Sequence, residues 1–169
     1  MVVRVGLIAA LFAVVALGIY TGKNRNDGPP DYWIPVTNET TVVWRAEGDS
    51  NRVMDRFEAY QNQDAAAAVD ELRALTPDPS DYTASALRDL YLASALTNAG
   101  RPTEALELMD PTEINGLPTP WRFHAEWVRY LALQRAGRDE DAKAWLEKLA
   151  AEEPGESGEK ARDELRRLQ

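Results

Sequence analysis

A chain of 169 residues is long enough for about one domain with an appendage, and the absence of cysteine excludes disulfides, thiolate metal sites and a cysteine nucleophile. The net charge is −9, and all 28 acidic residues lie at or beyond Asp27, so the body of the chain repels phosphate backbones and nucleic acid is excluded as a partner class. The plain meaning of the acidity is a well-solvated surface.

The first element is the uncharged stretch VGLIAALFAVVALGIYTG, from Val5 to Gly22. Its length, roughly 27 Å as a helix, matches the hydrocarbon thickness of a bilayer. It predicts a transmembrane anchor (residues 1–22) with Val5, Leu7, Leu11, Phe12 and Leu17 in lipid and Tyr20 at the interface. The alternative is a cleaved secretory signal, with Arg4 as its charged start and Ala16-Leu17-Gly18 as the cleavage site. As an anchor, residues 5–22 have the lipid bilayer as their expected partner. The expected localisation is a single-pass membrane protein whose following domain is extracytoplasmic (periplasmic) rather than cytoplasmic, although Arg4 is nearly balanced by Lys23 and Arg25.

Residues 23–49 read as a linker. KNRNDGPP is polar and stiffened by its Gly-Pro-Pro end. Tyr32 to Val36 and Thr41 to Arg45 are rich in β-branched and aromatic residues around a turn-like Thr-Asn-Glu, which suggests a small β-hairpin. Pro35 confines its strand to an edge, and an isolated hairpin is marginal in water. Trp33 and Trp44 therefore need a surface: the first helices of this chain, a partner subunit or the membrane interface.

From Ser50 the composition turns helical, and a pattern repeats. Ala68, Ala105 and Ala142 are evenly spaced at 37 residues, and Gly100 and Gly137 each lie five residues before their alanine. Gln63 holds that place in the first unit, with Asn62 as the alternative for the turn conformation. After Ala68 come Leu72 and Leu75, and after Ala142 come Leu146 and Leu149, at spacings that share one helix face. Glycine is cheap where a tight turn needs positive φ. Pro102 and Pro120 suit first helical turns, Ser80 suits a cap, and Pro77, Pro111 and Pro154 close the units. The expected pairs are 50–62 with 64–75, 81–99 with 102–109, and 119–136 with 138–151. A last amphipathic helix, 156–168, carries Ala161, Leu165 and Leu168 on one side.

These features resemble the tetratricopeptide repeat family, whose units are helix–turn–helix pairs with small residues at the crossing and an alanine followed by a large apolar residue four later. The stretch YLALQRAGRDEDAKAWLEKLA resembles it most, and the resemblance covers about residues 50–168. It departs in its longer period and in degenerate first-helix positions such as Arg129-Tyr130. The expected fold class is all-α: a transmembrane helix, then a short α-solenoid of about three helix pairs with a capping helix, over residues 50–169.

The resemblance implies a concave groove that binds protein rather than a reaction centre. In the family's register the groove takes Tyr60 and Gln61 from the first unit; Leu90, Ser94, Thr97 and Asn98 from the second; and His124, Trp127, Leu131, Gln134 and Arg135 from the third. Asn98 and Arg135 would hold a carbonyl or a carboxylate, and Trp127 would be an aromatic anchor. The plainer alternatives are core packing for Trp127, and partly solvated helix residues for Asn98 and His124.

No cofactor is expected. His124 is the single histidine, and the acidic runs 139–141 and 152–153 read as solvated, with the first placed to suit a helix dipole. No phosphate loop or nucleophile elbow is present, so no enzyme is expected. The expected function is a non-catalytic, membrane-anchored interaction scaffold: an accessory subunit of a larger membrane complex, or alternatively a transient peptide-binding adaptor or a secreted repeat protein.

Overall fold

The computed structural model describes residues 31–36, 57–77, 81–152 and 155–169. The chain divides into two units, Met1–Pro30 and Asp31–Gln169, and all described residues belong to the second. Among them the fold is all-helical, with no strand.

Among the described residues eight helices follow one another: α1 Glu58–Gln61, α2 Ala65–Ala74, α3 Tyr82–Asn98, α4 Pro102–Leu108, α5 Pro111–Gly116, α6 Thr119–Arg135, α7 Asp139–Glu152 and α8 Glu156–Arg167. Several starts have a local cause. Asp64 caps α2 by accepting from the Ala67 amide at 3.1 Å, and Asp81 caps α3 through the Ala84 amide at 2.9 Å. Asp81, not the expected Ser80, therefore opens α3; Ser80 lies outside the described residues. Pro102 sits in the first turn of α4, where its missing N–H costs nothing.

Three helix ends share one geometry. Gln63, Gly100 and Gly137 have φ of 59°, 74° and 69°. The residue after each donates its amide five residues back: Asp64 to Ala59, Arg101 to Leu96 and Arg138 to Leu133, at 2.8–2.9 Å. This is the Schellman closure, which returns two orphan carbonyls to hydrogen bonds while reversing the chain. In the first unit Gln63, not Asn62, takes the left-handed conformation; Asn62 stays at φ −78°.

Behind each turn a small residue lets two helices approach. Ala68, Ala105 and Ala142 are all buried, with 2% exposure at most. α3 is the centre of the core. It packs against α2, α4 and α6, and every residue from Leu90 to Thr97 is buried. Burying each leucine there contributes roughly 1.5–3 kcal/mol relative to an exposed one. α7 closes on α6, placing Trp145, Leu146 and Leu149 inward, and its indole donates to the Glu126 carbonyl at 3.0 Å. α8 covers α7 and part of α6. Ala161 is buried and Leu165 packs against the core, but Leu168, expected on the same face, is exposed in the last turn. Tyr130 of α6 donates to Glu164 of α8 at 3.0 Å.

Three further expectations are corrected. Pro111 does not close a unit but opens α5, under an Asp110 cap. Tyr32 to Val36 does not pair as a strand: Pro35 has no N–H, and the main-chain groups of Tyr32 and Ile34 are held by helix side chains. The other half of the proposed hairpin, 41–45 with Trp44, lies outside the described residues, as does most of 50–57. The single-pass membrane localisation is also corrected. Among the described residues no helix is long and apolar enough to cross a membrane. The longest, α3 and α6, have 17 residues each and carry charges, where a span needs about 20 apolar ones. The expected anchor residues Val5, Leu7, Leu11, Phe12, Leu17 and Tyr20 lie outside the described residues.

Candidate functional site

Residues 31–36, Asp-Tyr-Trp-Ile-Pro-Val, form a strap outside any helix or strand, held by side chains of α1, α3 and α6. A segment outside helix and strand must satisfy its peptide groups elsewhere, and here four of them meet helix side chains.

Asn98, in the last turn of α3, takes two. Its Oδ1 accepts from the Tyr32 amide at 3.2 Å, and its Nδ2 donates to the Tyr32 carbonyl at 3.1 Å. Arg135 of α6 also donates to Asn98 Oδ1 at 3.2 Å. Both neighbours of Oδ1 are obligate donors, which fixes the orientation of the carboxamide.

A hydroxyl relay takes the third and shares the second. Ile34 N–H donates to the Tyr60 hydroxyl at 2.9 Å, Tyr60 donates to Ser94 Oγ at 2.9 Å, and Ser94 donates to the Tyr32 carbonyl at 2.8 Å. The direction is forced, since an amide only donates and a carbonyl only accepts. Burial pushes the Tyr60 phenol well above its ordinary pKa, with the Ser94 and Ile34 hydrogen bonds opposing, so the relay stays protonated. The fourth group, the Pro35 carbonyl, accepts from the Tyr91 hydroxyl at 2.9 Å.

Side chains of the strap meet a second set of groups. Asp31 pairs with Arg135 at 2.8 Å, and the same guanidinium donates to the Thr97 carbonyl at 2.6 Å. The Tyr32 hydroxyl shares a hydrogen bond with His124 Nδ1 at 2.8 Å. The Lys160 ammonium of α8 lies 3.9, 4.9 and 5.2 Å from the ring centroids of Trp127, Phe123 and Tyr32, within the range of cation–π attraction. Trp33 meets Tyr60 edge-on at 4.9 Å, and Ile34 is fully buried. Phe57, Tyr60 and Tyr91 form an edge-to-face cluster beneath, with centroids 5.1–6.2 Å apart.

Of the residues expected to line a groove, Tyr60, Ser94, Asn98, His124 and Arg135 converge on the strap. Thr97 contributes its carbonyl, while its hydroxyl turns back to Ala93. Trp127 is half-buried between Lys160 and Tyr130. Gln61 lines an open recess of about 260 Å³ with Trp33, Pro35, Val36 and Gln63 but forms no hydrogen bond to the strap, nor does half-buried Gln134. Leu90 and Leu131 are core. Tyr91, Lys160 and the strap as the thing bound lie outside the expected groove set. Tyr91 was findable, because it precedes Ser94 by three residues and shares its stripe on α3. Nothing local to Lys160 announces its place among three rings.

No family model, curated protein or solved structure matches this chain. Among the described residues no group of three His, Asp or Glu side chains gathers to hold a metal ion.

Proposed function

We propose that this chain is a non-catalytic protein–protein interaction module of tetratricopeptide-repeat type, whose face on α1, α3 and α6 holds an extended peptide segment. The repeat assignment is supported by three equivalent turns at Gln63, Gly100 and Gly137 and three buried alanines at the same spacing. The carrying observation is the Asn98 carboxamide on both main-chain groups of Tyr32. That contact reads backbone, not side chain, and so serves any extended segment of suitable neighbours. A permanent accessory subunit would use the same face if the segment belonged to a constant partner.

The test is a titration of fluorescein-labelled extended hexapeptides, the 31–36 sequence among them, against the full chain carrying Tyr32→Ala, which weakens the strap. Saturable binding that Asn98→Ala abolishes is the expected result. Absence of binding by every peptide to a protein that remains helical by circular dichroism refutes the reading.

A further inference from the structure

The strap is chemically a ligand joined to its own receptor, so its contacts state what a partner segment must carry. Building on the peptide-binding reading above, we propose that the face selects segments of the form acidic–aromatic–apolar–aliphatic, and that residues 31–36 are a tethered competitor which such a segment displaces.

Selection at the first position comes from Arg135. Its guanidinium is already fixed by the Thr97 carbonyl and Asn98 Oδ1, so a carboxylate meets a preorganised cation. The chain as a whole carries −9, yet Arg135 and Lys160 face this end of the strap, and charge complementarity favours an acidic residue there. At the second position a tyrosine ring adds a wall to the site of the Lys160 ammonium, and its hydroxyl reaches His124. At the fourth, Ile34 is fully buried with its amide on Tyr60.

The strap is an imperfect occupant, which is what permits displacement. The Trp33 indole nitrogen is buried and has no hydrogen-bond partner among the described residues. A buried donor without an acceptor weakens the bound state. Beside Pro35 and Val36 lies the recess of about 260 Å³, which a larger side chain would enter. A segment with phenylalanine in place of Trp33 keeps the edge-on contact with Tyr60 and removes the unsatisfied N–H.

The experiment uses the full chain, wild type and Asp31→Lys. Asp31 is 63% exposed in its side chain, so this variant weakens the strap without emptying the core. The probe is the capped, labelled hexapeptide of sequence 31–36. Asp31→Lys is expected to bind it about threefold more tightly than wild type, as loss of one exposed charge pair from the competitor allows. Replacing the peptide's Asp by Lys weakens binding by about threefold and its Tyr by Ala by about tenfold, and replacing its Trp by Phe strengthens it severalfold. Equal affinity for all these peptides overturns the selection rule while leaving the peptide-binding reading intact. Failure of every peptide on folded Asp31→Lys and Tyr32→Ala chains overturns that reading instead. In the wild type, saturating peptide should accelerate hydrogen exchange at the Tyr32 and Ile34 amides; unchanged exchange with peptide bound overturns displacement. A wild-type dimer that peptide dissociates would put a second copy's strap in the site and overturn the tethered arrangement.

Discussion

Asn98 grips Tyr32 by both of its main-chain groups, 66 residues away in sequence, with 3.2 Å at the amide and 3.1 Å at the carbonyl. A side-chain amide used this way substitutes for the neighbouring strand that an extended segment ordinarily needs. The strap is thereby attached to a helix without any β-structure, and its side chains are left to meet α1, α6 and α8.

The hydroxyl relay should behave as a unit. Tyr60→Phe leaves the buried Ile34 amide without an acceptor and Ser94 without a donor, and is expected to cost about 1–3 kcal/mol. Ser94→Ala should cost a similar amount, while the double variant loses clearly less than the sum because the two share one hydrogen bond. A denaturant-melt double-mutant cycle checks this; strict additivity would show that the hydroxyls act independently.

Arg135 and Asp31 should be unequal partners in stability. Asp31 is exposed and its removal is expected to cost under about 1 kcal/mol. Arg135→Ala also strips a donor from the Thr97 carbonyl and from Asn98, and should cost about 1–3 kcal/mol. Equal losses in urea melts of the two alanine variants would argue that the guanidinium does nothing beyond the ion pair.

The turns offer a test of opposite signs at equivalent positions. Gly100→Ala and Gly137→Ala meet open space at the new Cβ, so their cost is the positive φ alone, about 1–2 kcal/mol. Gln63 already bears that strain, and Gln63→Gly is expected to stabilise by about 0.5–1 kcal/mol after the entropy of the unfolded glycine is subtracted. Thermal unfolding of the three variants decides it; destabilisation by Gln63→Gly would mean that its side chain contributes more than its backbone costs.

Asp89 gives a pH dependence whose sign is fixed. Partial burial raises its pKa above the ordinary aspartate value, with Arg88 at 2.6 Å only partly compensating. In the window between those two values the folded state binds more protons than the unfolded one, so this group's contribution to stability falls as pH rises through it. Asp89→Asn is therefore expected to be neutral or stabilising at pH 7 relative to its effect at pH 3. Urea midpoints at the two pH values check it, and a loss confined to pH 7 would show that the Arg88 pair outweighs desolvation.

The local features of this fold were legible in the chain because they are written within a turn or two of helix. Gly100 and Gly137 announce their turns because only glycine is unstrained there, and Ala68, Ala105 and Ala142 announce helix crossings by size and spacing. Even so, the first turn needed the structure: Gln63 holds a conformation that its side chain disfavours, and only the chain reversal around it explains why. Asp81 rather than Ser80 caps α3 although both have cap chemistry, because the Asp81 side chain meets the Ala84 amide.

What the sequence determined by itself was the run of paired helices, a consequence of short-range periodicity, capping and glycine conformation. What the tertiary structure alone decided was what the helices hold against their shared face. Asp31 and Arg135 are 104 residues apart, and Lys160 reaches Tyr32 from the last helix. Such meetings depend on how the helices stack and where the strap enters, and no local pattern encodes either. The strap looked like half of a hairpin from its β-branched and aromatic residues, which favour extended backbone, but backbone extension does not specify the partner. Side chains of Tyr60, Ser94, Tyr91 and Asn98 supplied one, because the stacked helices bring all four hydrogen-bonding groups to one face.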